Sequence, residues 1–214
     1  MKDKAFLNFY YLFWIFIVGC VVGWLVEGAF SLFRYQELVN HSALVVGPFN
    51  VAYGLSACCL SMLLYKYRDD GLLKIFAIGF VGGSIVEYIM SWGMELVLGF
   101  TAWDYSNKFL NINGRICFTY SLFWGLLAIV WIKYIYPYMI KQIKKIDIDF
   151  GKKIMKFLII FLILDLILTF SAIERARRKE DGIPPSNSYE VFLDKTFNQK
   201  YLHNMFNNNW GERK

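Results

Sequence analysis

Gly79-Phe80-Val81-Gly82-Gly83-Ser84-Ile85-Val86-Glu87-Tyr88-Ile89-Met90-Ser91-Trp92-Gly93-Met94-Glu95 lies inside an apolar run of roughly Leu73–Leu98. About 20 such residues cross the hydrocarbon core of a bilayer. The stretch still carries two carboxylates. A charged side chain in hydrocarbon costs at least a few kcal/mol, so it is rare there and faces the interior of a bundle. At about 100° per residue, Ser84, Glu87, Ser91 and Glu95 fall within roughly a quarter turn of one another. Gly79 and Gly83 flank that stripe. The stretch therefore reads as a membrane-spanning helix with one small, polar face turned towards other helices.

The same pattern recurs on both sides of it. Apolar spans are read at roughly Phe6–Phe33, Leu44–Tyr65, Ile116–Tyr136 and Ile154–Ile173. Glu27 lies in the first and Asp165 in the last. Of the 214 residues, 57% are hydrophobic, and they come in blocks; a soluble domain has about 45–50% and spreads them in stripes. The expected fold is all-α: a polytopic helical membrane bundle of about five transmembrane helices over 1–173, with a polar, amphipathic C-terminal tail over 174–214. Every span has a small-residue face. These faces are Gly19, Gly23, Glu27 and Ser31; Asn50, Gly54, Ala57 and Ser61; Cys117, Ser121, Gly125 and Ala128; and Asp165, Thr169 and Ala172. Small residues let membrane helices approach closely. The simplest packing turns all of these faces onto one polar interior.

Charge sets an orientation. Lys2, Lys4, Lys66, Arg68, Lys74, Lys133, Lys141, Lys144, Lys145, Lys152, Lys153 and Lys156 flank one set of span ends, and only Arg34, Lys108 and Arg115 the other. Twelve against three favours an inside N-terminus in a bacterial cytoplasmic membrane and places the tail outside. Arg175, Arg177, Arg178 and Lys179 then break the rule and need a task of their own. Because the net charge of +6 resides at span ends, nucleic-acid binding is not expected.

Cys20, Cys58, Cys59 and Cys117 lie in apolar segments without a CxxC, and His41 and His203 stand alone, so neither metal nor cofactor is expected. The first apolar stretch is too long, and lacks the small-residue cleavage site, for a removable signal peptide. Pro184-Pro185 is expected to stop any helix continuing from the last span. Tyr189, Phe192, Leu193, Phe197, Tyr201, Leu202 and Phe206 beyond it suit a short amphipathic helix on the membrane or on the bundle.

Two junctions carry further polar chemistry. Gly47-Pro48-Phe49-Asn50 opens the second span, where proline suits a first helical turn and a helix N-terminus attracts anions. The loop from Gly99 to Gly114 contains Trp103-Asp104-Tyr105-Ser106 and closes with Asn111, Asn113, Gly114 and Arg115. Arg115 is the natural counter-charge for Glu95 or Glu27, since an unpaired buried charge is costly. The expected substrate- or ion-binding residues are Glu27, Asn50, Glu87, Ser91, Glu95, Trp103, Asp104, Tyr105, Asn113, Arg115 and Asp165. Glu27, Glu95, Asp104 and Arg115 are expected to converge in one cavity opening towards the outer face. No catalytic residue can be named.

These residues also carry a resemblance. In order, Gly23-Trp24-x-x-Glu27, Gly47-Pro48-Phe49, Tyr53-Gly54, Glu87-Tyr88-x-x-Ser91-x-x-x-Glu95, Trp103-Asp104-Tyr105-Ser106, Asn113-Gly114-Arg115-x-Cys117 and Ser121-x-x-Trp124-Gly125 resemble the bacterial family described as putative ABC-transporter type IV permeases. The resemblance covers about the first two-thirds of the chain. Members often have proline where this chain has Val51. The resemblance implies an ABC permease and brings no established site residues with it. The chain has no P-loop, GxxxxGK[ST], so the implied ATPase is a separate subunit. Pro137–Lys153 is the one inside segment long enough to meet it. Five spans are few for a complete transporter, so a homo-oligomer or partner subunit is expected in the lipid bilayer.

Two other functions stay open beside transport of a cation, a proton-coupled solute or a lipid headgroup. Paired carboxylates with an arginine can perform acid–base chemistry on a lipid-linked or phosphate-bearing substrate. Buried ion pairs can also serve a structural or assembly subunit by fixing helix register alone.

Overall fold

The structure, a computed structural model, describes residues 7–36, 40–98, 101 and 103–206. Lys2, Lys4, Phe6, Gly99 and the side chains of His203 and Phe206 lie outside the described residues. Helices α1 (Phe9–Tyr35), α2 (Val51–Leu64), α3 (Leu72–Leu98), α4 (Phe118–Val130), α5 (Tyr136–Ile143), α6 (Ile148–Glu180), α7 (Ser188–Thr196) and α8 (Gln199–Phe206) follow one another, and no strand is found among the described residues. A π-helical turn, Trp131–Ile135, joins α4 to α5. It ends just before Pro137, which has no N–H to continue the ladder.

Four helical stretches are long and apolar enough to span a membrane: Phe9–Arg34, Leu72–Leu96, Phe118–Ile143 and Ile148–Glu180. Their outward faces are apolar: Ile89 is 56% exposed and Ile160 61%. Lipid tails are the only solvent in which such a surface is at no disadvantage. The chain is a multi-pass helical membrane protein.

The second expected span is corrected by the structure. Helix α2 has 14 residues, about 21 Å at 1.5 Å per residue, against a core of about 30 Å. The rest of this crossing, residues 40–50, is irregular. The Asn50 N–H donates to the Cys20 carbonyl at 3.1 Å, near the middle of α1, and Trp24 Nε1 donates to Asn40 Oδ1 at 2.8 Å. The span is thus broken: an irregular segment reaches mid-bundle depth and a shortened helix, extended by a 3-10 turn at Tyr65–Tyr67, continues from there. Local chemistry explains the break. Ser42 Oγ sits 2.9 Å from the Leu44 and Gly47 carbonyls, and Gly47 takes φ +82°, which glycine adopts without strain. Pro48 therefore precedes the helix instead of opening it. Asn50 is the N-cap, accepting from the Tyr53 N–H at 3.4 Å. Irregular backbone at membrane depth must be covered by protein, and Ser42, Leu44, Val45 and Phe49 are all buried.

The small-residue faces pack helices in pairs and do not share one interior. Gly19 meets Ala57 and Gly54, and Gly23 meets Tyr53, across α1 and α2. Gly79 meets Ala128, and Gly83 meets Trp124, across α3 and α4. A Cβ at Gly23, Gly79 or Gly83 would collide with the partner helix, and one at Gly19 would press tightly on it.

Helix α6 runs past Ile173 to Glu180. It stops in a Schellman turn: Gly182 at φ +78° donates to the Lys179 carbonyl and Ile183 to that of Arg178. The chain then returns, and α7 and α8 pack on the end of α6 and on the irregular segment through Leu193, Phe197 and Leu202 against Val45, Ala172 and Ala176. At the opposite, lysine-rich end, the turns are short. Pro137 to Ile143 is helical, which leaves about 144–147 as the only irregular part of the segment expected to face an ATPase.

Candidate functional site

The richest polar cluster lies between α3, α4 and the loop that joins them. Glu87 is 6% exposed. Its Oε1 accepts from the Tyr105 hydroxyl at 3.1 Å and its Oε2 from Trp124 Nε1 at 2.8 Å. Among the described residues it meets no cation. Tyr105 reaches inward because its ring stacks on Tyr120, 4.4 Å between centroids, and on Trp103. Trp103 is anchored in turn by Nε1 donating to the Arg115 carbonyl at 2.9 Å. Burial, with the Glu87 carboxylate beside it, pushes the Tyr105 hydroxyl above its ordinary range, so it stays a donor.

Arg115 pairs with Glu95 and also donates to Ser91 Oγ at 3.3 Å. Its guanidinium lies over the Tyr88 ring, 5.8 Å from the centroid. The hydrogen bond to Glu95 raises the Arg115 pKa and keeps it charged. Asn113, at φ +53°, donates to the Tyr88 hydroxyl at 2.8 Å. Glu87, Ser91, Glu95, Trp103, Tyr105, Asn113 and Arg115 are therefore brought together by one hairpin.

The other expected residues go elsewhere. Asp104 caps its own loop, accepting from the Ser106 N–H at 2.9 Å and hydroxyl at 2.5 Å; Gly114 lies so close that a side chain there would strike it. Glu27 takes the Tyr53 hydroxyl at 2.6 Å between α1 and α2. Asn50 is occupied as a helix cap. Asp165 belongs to a second centre, where its Oδ1 accepts from the Val46 N–H at 3.1 Å. Of the four side chains expected in one cavity, only Glu95 and Arg115 form a pair.

Trp124, Tyr88 and Tyr120 were absent from the expected set, although Trp124 and Tyr88 stand in the quoted motifs. Their signal was an indole or phenol on the helix face that also carries a carboxylate or its facing serine. Ser84 and Ser121, bonded at 2.6 Å, mark that α3–α4 contact. The same two serines border an apolar groove of about 470 Å³ lined by Val81, Ile85, Ile89 and Ile112 among others.

Two of the arginines at the end of α6 have a structural task. Arg175 is 3% exposed and grips Asp194 through Nε at 3.1 Å and Nη2 at 2.9 Å. Arg178 holds Glu190 at 2.6 Å. They pin the tail. Among the described residues no cluster of His, Cys, Asp and Glu could hold a metal ion.

No curated protein and no solved structure matches the chain. The family described as putative ABC-transporter type IV matches residues 14–170, which include both polar centres and the broken span. With that match over more than half its length, the chain belongs to the putative ABC-transporter type IV family and is a transport-related, multi-pass membrane protein.

Proposed function

We infer that this chain is the membrane subunit of a transport system and that it binds its solute at the Glu87 cluster. The observation that carries this reading is a buried carboxylate held by two neutral donors, with no cation beside it among the described residues. A buried carboxylate without a counter-charge is costly to keep ionised, and Arg115 belongs to the same hairpin yet is spent on Glu95. Glu87 is thus an acceptor suited to a cation, or to an ammonium-bearing or proton-coupled solute. Family membership supports transport over catalysis, and so does the pairing of Arg115, which leaves no free guanidinium for a phosphate. The lysine-rich end faces the cytoplasm in this reading, which follows from charge asymmetry. A separate ATPase would meet the short turns near 65–71 and 144–147 and the helix ends beside them.

The test is isolation of the tagged, full-length chain from its native membrane under mild detergent. A P-loop ATPase should co-purify in fixed stoichiometry, and Glu87→Gln should abolish solute-stimulated ATP hydrolysis without releasing it. A chain that purifies alone, or a Glu87→Gln complex with full stimulation, would remove the reading.

A further inference from the structure

We propose that Asp165 is a proton-binding site built into the broken span, with access beneath the C-terminal tail. Asp165 sits halfway along the 33-residue α6 and is 3% exposed. Its Oδ1 accepts from the Val46 N–H, while Oδ2 is buried with no hydrogen-bond partner among the described residues. Leaving one oxygen of an ionised carboxylate unserved at this depth is costly. The neutral acid lowers that cost, because an unpaired buried hydroxyl is less costly than an unpaired buried charge, so the site is suited to holding a proton.

The donor set argues against a metal cation. A hard cation needs several oxygens. What the segment turns towards α6 is N–H: Val46 donates to Asp165, and Val45 donates to Thr169 Oγ1 at 3.0 Å. Thr169 spends its own hydrogen on the Asp165 carbonyl at 2.7 Å, and the Val45 carbonyl is taken by the Tyr201 hydroxyl at 2.7 Å. Among the described side chains of this centre, Oδ2 is the one oxygen buried without a hydrogen-bond partner, which suffices for a proton and is short of a coordination shell.

The other titratable groups around it are few. Burial, and after it the Asp165 carboxylate, raises the pKa of Tyr201 of α8. On the irregular segment itself, His41 Nε2 is also buried without a partner among the described residues. On α6 and α7, Arg175, Asp194 and Glu190 are already engaged with one another. The tail closes over the centre: Tyr201 binds Val45, the neighbour of the residue that binds Asp165, and Asn40 Nδ2 donates to Met205 Sδ at 2.8 Å. A proton reaching Asp165 from that end of the bundle must pass where α8 sits.

This inference stands apart from the Glu87 reading and has its own readout. The full-length chain in lipid nanodiscs is treated with dicyclohexylcarbodiimide, a membrane-soluble reagent that attacks protonated carboxyl groups, and peptides are identified by mass spectrometry. The Asp165 peptide should carry the adduct, and labelling should fall at least about tenfold between about pH 5 and about pH 9. Asp165→Asn, whose neutral side chain mimics the protonated acid, should keep the fold and lose the adduct. Tyr201→Phe, which frees the Val45 carbonyl, should speed labelling severalfold, and Glu87→Gln should leave it unchanged. Absent labelling at every pH, or labelling indifferent to pH, would overturn the proposal. Protection by sodium or potassium at constant pH would make Asp165 a metal-cation ligand and overturn it equally. An unchanged rate in Tyr201→Phe would refute access beneath the tail.

Discussion

Glu87 and Asp165 are both buried carboxylates halfway along apolar helices, and the protein treats them in opposite ways. Glu87 has both oxygens served by side chains, a phenol from the loop and an indole from α4. Asp165 has one oxygen served by backbone and the other by nothing among the described residues. The first centre is made by a hairpin of close-packed helices and needs only residues 72–130 or so. The second exists because a span is broken, which frees backbone N–H groups to point sideways, and because a distant tail covers the break. A side-chain-built site can be edited one residue at a time. A backbone-built site depends on everything that keeps the backbone in place.

The sharpest break between the two centres is expected at Arg175. Its guanidinium is nearly fully buried, and Arg175→Ala takes away the two-pronged partner of Asp194, which then keeps only the distant Lys179 at 4.0 Å among the described residues, while Glu190 retains Arg178. Breaking such a pair costs about 3–5 kcal/mol. The tail should detach, and amides of 42–50 should exchange hydrogen far faster, while those of 103–115 stay protected. Hydrogen–deuterium exchange reads both at once. Equal loosening of the two regions would mean that the centres are not independent.

A smaller, one-sided effect is expected at Glu87. Glu87→Lys puts a charge of the wrong sign where Tyr105 and Trp124 both donate, costing about 3 kcal/mol at bilayer depth. Glu87→Gln keeps an acceptor for one donor and should cost about 1 kcal/mol. Thermal unfolding in detergent should rank them so. Equal stability for the two variants would place Glu87 against water or headgroups.

The smallest effect is a pH response confined to the tail. The Ser186 N–H and then Arg178 hold the Glu190 carboxyl below the usual range. Its folded pKa is depressed, so its contribution is fully present above the unfolded value of about 4.3. It is lost as pH falls through the lower folded value. Limited proteolysis of the 181–187 turn should therefore accelerate only under acid conditions, and Glu190→Gln should abolish that acid response. Acceleration towards alkaline pH would contradict the assigned role.

Reading the residues alone carried the fold a long way. The apolar blocks, the polar stripe of α3 and the glycine faces were legible because a membrane imposes length and polarity on each helix separately. That Arg115 would pair with Glu95 or Glu27 was legible too, because a buried charge demands a partner and few were on offer; the fold chose Glu95. Gly182 was a readable stop signal for α6 that Pro184-Pro185 obscured.

What only the tertiary structure decided was which face meets which. Five similar small-residue faces admit one shared interior or several pairwise contacts, and the choice depends on shape, as where Tyr53 fills the gap beside Gly23 and Trp124 the one beside Gly83. Glu27 found Tyr53 and Asp104 found Ser106 because those donors were nearer than Arg115 once the chain was folded. The broken second span was hidden for the same reason. Its residues are apolar enough to cross a membrane as a helix, and what allows residues 40–50 to abandon that helix is cover from α1, α6 and a tail about 150 positions away. Local sequence sets what each segment can be in lipid; burial by distant segments sets which of those options it takes.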